Sequence, residues 1–205
     1  MDYFLIERYW GDFPGHPTYF EYALDKVAAG DNDRESTIRT YFTSYKNSPL
    51  VFLCKHQKIE FDFYDVPAGE YFVSSAFAGI AQHSAVPDLS VITARFLSTK
   101  RKEVSSREYC VIRLRDAIDA VDEKRSVIEP AVSAPHRLLT KHLAIDHAAV
   151  GDRDLFRLNN MAMLGCLFCS GRFKEQAEQA GIVAKFIPEA IAAEEFAKTN
   201  LFAPK

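Results

Sequence analysis

Residues Asp152–Ile191 read DRDLFRLNNMAMLGCLFCSGRFKEQAEQAGIVAKFIPEAI, and this stretch decides the fold. Met163–Cys169 is an almost unbroken apolar run, too short for an ordinary helix and suited to a fully buried strand. Ser170 follows as a helix N-cap, because its side-chain oxygen can accept an orphan N–H of the first turn. Phe173, Ala177 and Ala180 continue at helical spacing, and Gly181 stops the helix in the left-handed conformation that glycine adopts without strain. Ile182–Ile187 returns as a β-branched and aromatic strand, closed by Pro188, which has no N–H for a sheet ladder. The stretch is therefore strand, short helix, strand.

The same pattern occurs upstream. Phe72-Val73-Ser74-Ser75-Ala76-Phe77-Ala78-Gly79-Ile80-Ala81 shares F-x-S-x-x-F-x-x-x-A with the segment that starts at Phe168, 96 positions later. Ala94-Arg95-Phe96-Leu97 is the expected counterpart of Ala184-Lys185-Phe186-Ile187, after a longer connection through Pro87. In both copies a strand delivers a serine that caps a helix, whose phenylalanine packs back on the sheet. Two such units can share one sheet or form two related halves; chance likeness of short amphipathic segments is the alternative.

Around the units, Asp2–Tyr9, Leu50–Cys54, Ile59–Tyr64, Tyr109–Leu114, Lys141–Asp146 and Leu155–Leu158 read as strands. In Ile59–Tyr64 the alternation places Ile59, Phe61 and Phe63 on one side and Glu60, Asp62 and Tyr64 on the other. Thr18–Ala29 reads as a helix capped by Thr18 and ended by Gly30, and Ile128–Pro135 as a proline-flanked connector. The expectation is one α+β domain over 1–205. It has a mixed or mostly antiparallel sheet, short helices from two related strand–helix–strand units, and an N-terminal subregion at 1–49.

A hydrophobic share of 48% and a charged share of 26% belong to a globular chain rather than a disordered one. A net charge of −3 gives no reason to expect a nucleic-acid or anionic-membrane surface, and suits a basic protein partner. The N-terminus MDYFLIERYW lacks the basic region of a signal peptide, and no apolar run approaches the ~18 residues of a membrane span. The expected location is the cytoplasm. There Cys54, Cys110, Cys166 and Cys169 are expected as reduced, buried thiols.

Few residues suggest chemistry. Cys166 and Cys169 are formally C-x-x-C, but the second ligand pair of a zinc site is missing, and the intervening Leu167 and Phe168 suit a buried strand. His136, His142 and His147 gather near Asp146 without metal-ligand spacing. There is no nucleophile elbow, phosphate loop or dinucleotide fingerprint. A small redox or hydrolytic enzyme built on these cysteines or histidines is the alternative reading; the main one is a protein without catalysis, cofactor or metal. Candidate contact residues are the aromatics Trp10, Phe13 and Tyr19, the first two in the loop WGDFPGHP, and the acidic run Asp116, Asp119, Asp122 and Glu123. The aromatics can instead fold over the core edge, and the acids can form a solvated loop or helix face.

Several features together resemble the bacterial immunity proteins of polymorphic toxin systems, in the group known as immunity family eleven. The residues that carry the likeness are DLFRL at Asp154–Leu158, Phe168-x-Ser170-x-x-Phe173 and GIVAKFIP at Gly181–Pro188. The strand Tyr109–Leu114 with Asp116, Asp119, Asp122 and Ser126, and LAID at Leu143–Asp146, add to it. The likeness spans residues 50–191; Cys169, where valine is more usual, and Gly171 in the first helical turn depart from it. It implies a cytoplasmic protein that binds and neutralises a cognate toxin by protein–protein contact, through a surface that varies with the toxin.

Overall fold

The computed structural model describes residues 2–7, 21–22, 49–54, 58–66, 69–131, 134–163 and 165–199. The strands are β1 (Tyr3–Glu7), β2 (Glu21–Tyr22), β3 (Leu50–Cys54), β4 (Phe63–Val66), β5 (Glu70–Ser74), β6 (Leu89–Ser98), β7 (Tyr109–Leu114), β8 (Val127–Ala131), β9 (Ala134–His142), β10 (Leu155–Phe156), β11 (Leu167–Ser170) and β12 (Lys185–Pro188). The helices are α1 (Ser75–His83), α2 (His147–Val150), α3 (Gly171–Gln179) and α4 (Glu189–Thr199), with a 3-10 turn at Met161–Met163. The fold is α+β, with mixed and antiparallel sheets and short helices.

The quoted stretch folds as β11, α3 and β12, and its upstream copy as β5, α1 and β6. Both caps form: Ser170 Oγ accepts the Phe173 N–H at 3.1 Å, and Ser74 Oγ accepts the Phe77 N–H at 3.3 Å. Gly181, at φ 71°, turns the chain out of α3 as expected. The apolar run before it is interrupted, however. Gly165 takes φ 87°, so Met161–Met163 forms the 3-10 turn and the strand starts only at Leu167.

The repeat is larger than its sequence signature. Antiparallel β4 pairs Phe63 with Val73 and Tyr64 with Phe72, as β10 pairs Leu155 with Cys169 and Phe156 with Phe168. Each unit is thus strand–strand–helix–strand, with a further strand inserted between its last two, and the first sheet continues past β6 with β3 and β2. In one sheet β7 lies between β5 and β6; in the other β1 lies between β11 and β12. The register makes Tyr109 the counterpart of Tyr3, since they sit opposite Ser74 and Ser170. It also corrects the expected downstream match. Phe72, Val111 and Ile92 lie in one row as Phe168, Leu5 and Ile187 do in the other, so Ile187 answers Ile92 rather than Leu97. Similar letters in ARFL and AKFI reflect shared strand preference, not shared position.

Three cores follow from the period-2 alternation of these strands. The central one lies between the sheets and holds Phe77 and Phe173 with Tyr71, Val73 and Ile112 of one sheet and Ile6, Leu167 and Cys169 of the other. The rings of Phe77 and Phe173 meet edge to face, their centroids 5.3 Å apart. Behind the second sheet, Tyr3, Leu5, Phe156 and Phe168 pack with Ala192 and Ala193 of α4. Behind the first, Phe52, Phe72, Phe96 and Tyr109 form an aromatic core.

Other expectations are corrected here. The alternation from Ile59 breaks at Asp62. Phe61 and Tyr64 belong to the outer aromatic core, whereas Phe63 enters the central one. A bend at Asp62, whose carbonyl accepts the Ser74 N–H, changes the face. Glu21–Tyr22, expected inside a helix, pairs with Phe52 and Leu53 as a strand, where a ladder satisfies its backbone. The remainder of that expected helix lies outside the described residues. The proline-flanked connector is the hairpin of β8 and β9. A two-stranded ribbon consists only of edges, so it tolerates Pro130. The strand expected at Lys141–Asp146 ends at His142, and Ile145 makes only an isolated bridge to Val121.

Candidate interaction surface

Cys166 and Cys169 are packed in different places. Cys166 belongs to the core under α4 and Cys169 to the core between the sheets, on opposite faces of β11's sheet. Burial pushes both thiols well above their ordinary pKa, and Cys110 is also raised by burial. Thiols held protonated and apart do not make a dithiol redox pair. His142 and His147 stand apart from each other. His142 ends β9 on the surface, whereas the His147 ring stands edge-on to Tyr3 at 4.8 Å and its Nε2 lies 3.4 Å from Glu189. His136 lies within β9. Among the described residues no group of three His, Cys, Asp or Glu is placed to hold a metal ion. A depression lined by Ala85, Val86, Pro87, Asp152 and Arg153 lies open at the surface.

The acidic run is neither a helix nor a uniform face. It is an extended segment fastened at both ends: Ile118 bridges Leu158, Val121 bridges Ile145, and Ala120 is fully buried between them. Asp122 is used internally. Its carboxylate accepts the N–H groups of Lys124 and Arg125 and ion-pairs with Arg125 Nε at 2.6 Å. The hydrogen bond from Arg125 holds its pKa below the usual carboxylate range. Asp119 accepts a hydrogen bond from Asn159 Nδ2 at 2.7 Å. Asp116, Asp119 and Glu123 are exposed, while Arg115, Lys124 and Arg125 lie in the same segment and offset part of the charge.

This segment runs directly into the β8–β9 hairpin, and β9 packs on both α4 and the 3-10 turn. The large apolar side chains exposed among the described residues are Val127, Leu138, Met161, Val183 and Ile191. All except Val183 sit on these joined elements. Met161 stands out at 75% exposure, directly before the buried Ala162 and Met163 and two residues after Asn159. Apolar side chains presented beside exposed carboxylates match the make-up of protein-binding surfaces, whose anchors are apolar and whose rims are polar. The structure thus leaves Asp116, Asp119 and Glu123 exposed in the segment that leads into the hairpin, and ties Asp122 to Arg125. Trp10, Phe13 and Tyr19 lie outside the described residues.

The family model of Immunity protein 43 matches residues 43–200. The chain belongs to that family. The likeness to immunity proteins is thereby shown, under the number 43 and not under eleven, and the matched span exceeds the expected 50–191 at both ends. Among curated proteins no relative matches. Within the family span lie both repeated units, the acidic segment and the whole hairpin. No helix among the described residues is long and apolar enough to cross a membrane.

Val127, Leu138 and Met161 were not singled out by the sequence. Two apolar runs flanking Pro130 and Pro135 carry a hairpin signal, yet the prolines speak against strands. Met161 has no local signal at all, since MAML reads as core.

Proposed function

We propose that this protein neutralises a cognate bacterial toxin by binding it in the cytoplasm of the producing cell, without catalysis of its own. The observation that carries this reading is the match to Immunity protein 43 over most of the chain. The hairpin arm and its neighbours support a contact reading: Leu138, Met161 and Val127 supply apolar anchors, with Asp116, Asp119 and Glu123 at their rim. The toxin then presents an apolar cleft with basic groups beside it, and Trp10, Phe13 and Tyr19 are further candidates for toxin contact by residue type. The partner is a protein, not a nucleic acid or a membrane surface.

Co-expression with the toxin encoded beside it tests the reading. Cells carrying both genes are expected to grow and to yield a stable complex; continued killing with the immunity protein fully expressed overturns it. The surface assignment has its own test. Leu138→Asp and Met161→Asp are expected to weaken the complex at least tenfold with little change in thermal stability, because both side chains already face water. Reversing Asp116 and Glu123 to lysine is expected to slow association and flatten its salt dependence. Unchanged affinity in all of these variants moves the contact elsewhere.

A further inference from the structure

Each repeated unit buries one aspartate just before its first strand, Asp62 ahead of β4 and Asp154 ahead of β10. The main-chain roles of the two are the same: the Asp62 carbonyl accepts the Ser74 N–H at 3.0 Å, and the Asp154 carbonyl accepts the Ser170 N–H at 2.9 Å. Each thereby fixes the cap serine of its own unit. The carboxylates do something different. Asp62 Oδ2 accepts the N–H of Val183, which follows α3 of the other unit, at 2.9 Å. Asp154 Oδ2 accepts the N–H of Ala85, which follows α1 of the other unit, also at 2.9 Å. Each carboxylate also has an arginine: Arg107 Nη1 reaches Asp62 at 3.2 Å, and Arg172 reaches both oxygens of Asp154 at 3.0 and 2.9 Å. The sequence repeat is silent about this, since Asp62 and Asp154 lie 92 positions apart while the serines lie 96 apart.

We infer that the two units are joined by a crossed latch, in which the buried aspartate of each holds the loop behind the helix of the other, so that the units open together. The geometry leaves little alternative partner for either loop amide, because the carboxylates are 5% and 2% exposed and the helices meet through Phe77 and Phe173 between them. A hydrogen bond to a buried charged group is among the stronger ones, and losing its acceptor leaves the donor orphaned. The latch binds positions 121 and 69 residues apart, so it ties the two halves where chain connectivity does not.

Amide hydrogen exchange on the full chain tests the crossing. Asp154→Ala is expected to speed exchange at Ala85 by about 10- to 100-fold while Val183 keeps its protection, and Asp62→Ala to do the reverse. The amides of Ser170 and Ser74, bonded to main-chain carbonyls, serve as internal references that stay protected. Asp154→Leu and Asp62→Leu, close in size and without an acceptor, carry the same readout if the alanine variants do not fold. In the unaltered protein the slowest amides of β5 and β7 are expected to share one opening rate with those of β1 and β11. Loosening confined to the unit that carries the substitution, or two separate opening rates, overturns the latch.

Discussion

The contact between Phe77 and Phe173 offers the sharpest test of how the two units stabilise each other. Each ring is fully buried, and each sits three residues after its cap serine, at equivalent places in the two copies. Phe77 also lies 5.6 Å from the Phe63 ring, so truncation opens a cavity lined by both units. Phe→Ala at such a site costs about 3–5 kcal/mol, a large part of the roughly 5–15 kcal/mol that separates a folded domain from its unfolded chain. For a chain of this length each kcal/mol lowers Tm by about 2–4 °C, so either variant should melt about 6–20 °C lower. The double variant discriminates further. The first truncation already forfeits the ring–ring term of about 0.5–1.5 kcal/mol, and the second cavity merges with the first. Its loss should fall short of the sum by about 1 kcal/mol. Urea unfolding of the four proteins, followed by far-UV circular dichroism, measures this. Losses that simply add would refute the reasoning, because they would show that the two rings stabilise separate units.

Three further outcomes are expected. Cys110, Cys166 and Cys169 should react with a thiol reagent only after unfolding, because burial keeps them protonated and covered; rapid modification of Cys166 or Cys169 in the native protein, located by peptide mass mapping, would revive the redox reading. Burial alone would raise the Asp154 pKa, but the bonds from Arg172, Ser170 and the Ala85 N–H outweigh it and hold the carboxyl below its ordinary value. A group depressed in the folded state contributes stability above its unfolded pKa, near 4, and loses it as pH falls through the folded value. Asp154→Asn should therefore be less stable than the unaltered protein at neutral pH, with the difference shrinking on acidification; an unchanged difference in urea titrations from pH 6 to pH 2 would contradict this. Gly69→Ala should cost about 1–2 kcal/mol, since Gly69 holds φ 75° and an added Cβ would overlap the Arg157 guanidinium. Equal stability by thermal melting would refute the backbone strain assigned to this position.

Much of the candidate surface was beyond the sequence for one reason: exposure is a property of neighbours. Met161 and Met163 are the same residue type two positions apart, yet one is exposed and the other fully buried, because the 3-10 turn before Gly165 presents one of them to water. Asp122 and Asp116 look alike in the acidic run, but only Asp122 meets Arg125 and two turn amides. The separation of Cys166 from Cys169 is legible in the sequence. In a strand, positions three apart point to opposite faces, so Cys166 and Cys169 were bound to separate if the run that holds them was extended.

The sequence by itself determined the local parts of Asp152–Ile191 and of its upstream copy. Serine caps, the packing phenylalanines and the glycine stop depend on groups within a few residues of each other, and both copies formed them. It also carried the family. Only the tertiary structure decided how the copies are completed: β7 follows the first unit directly, while the second takes β1 from the far end of the chain. Strand pairing joins any two edges whose faces match, whatever the chain length between them, so no local pattern announces it. The crossed bonds of Asp62 and Asp154 have the same origin. A buried carboxylate must find donors, and here each takes one of them from the other half of the molecule.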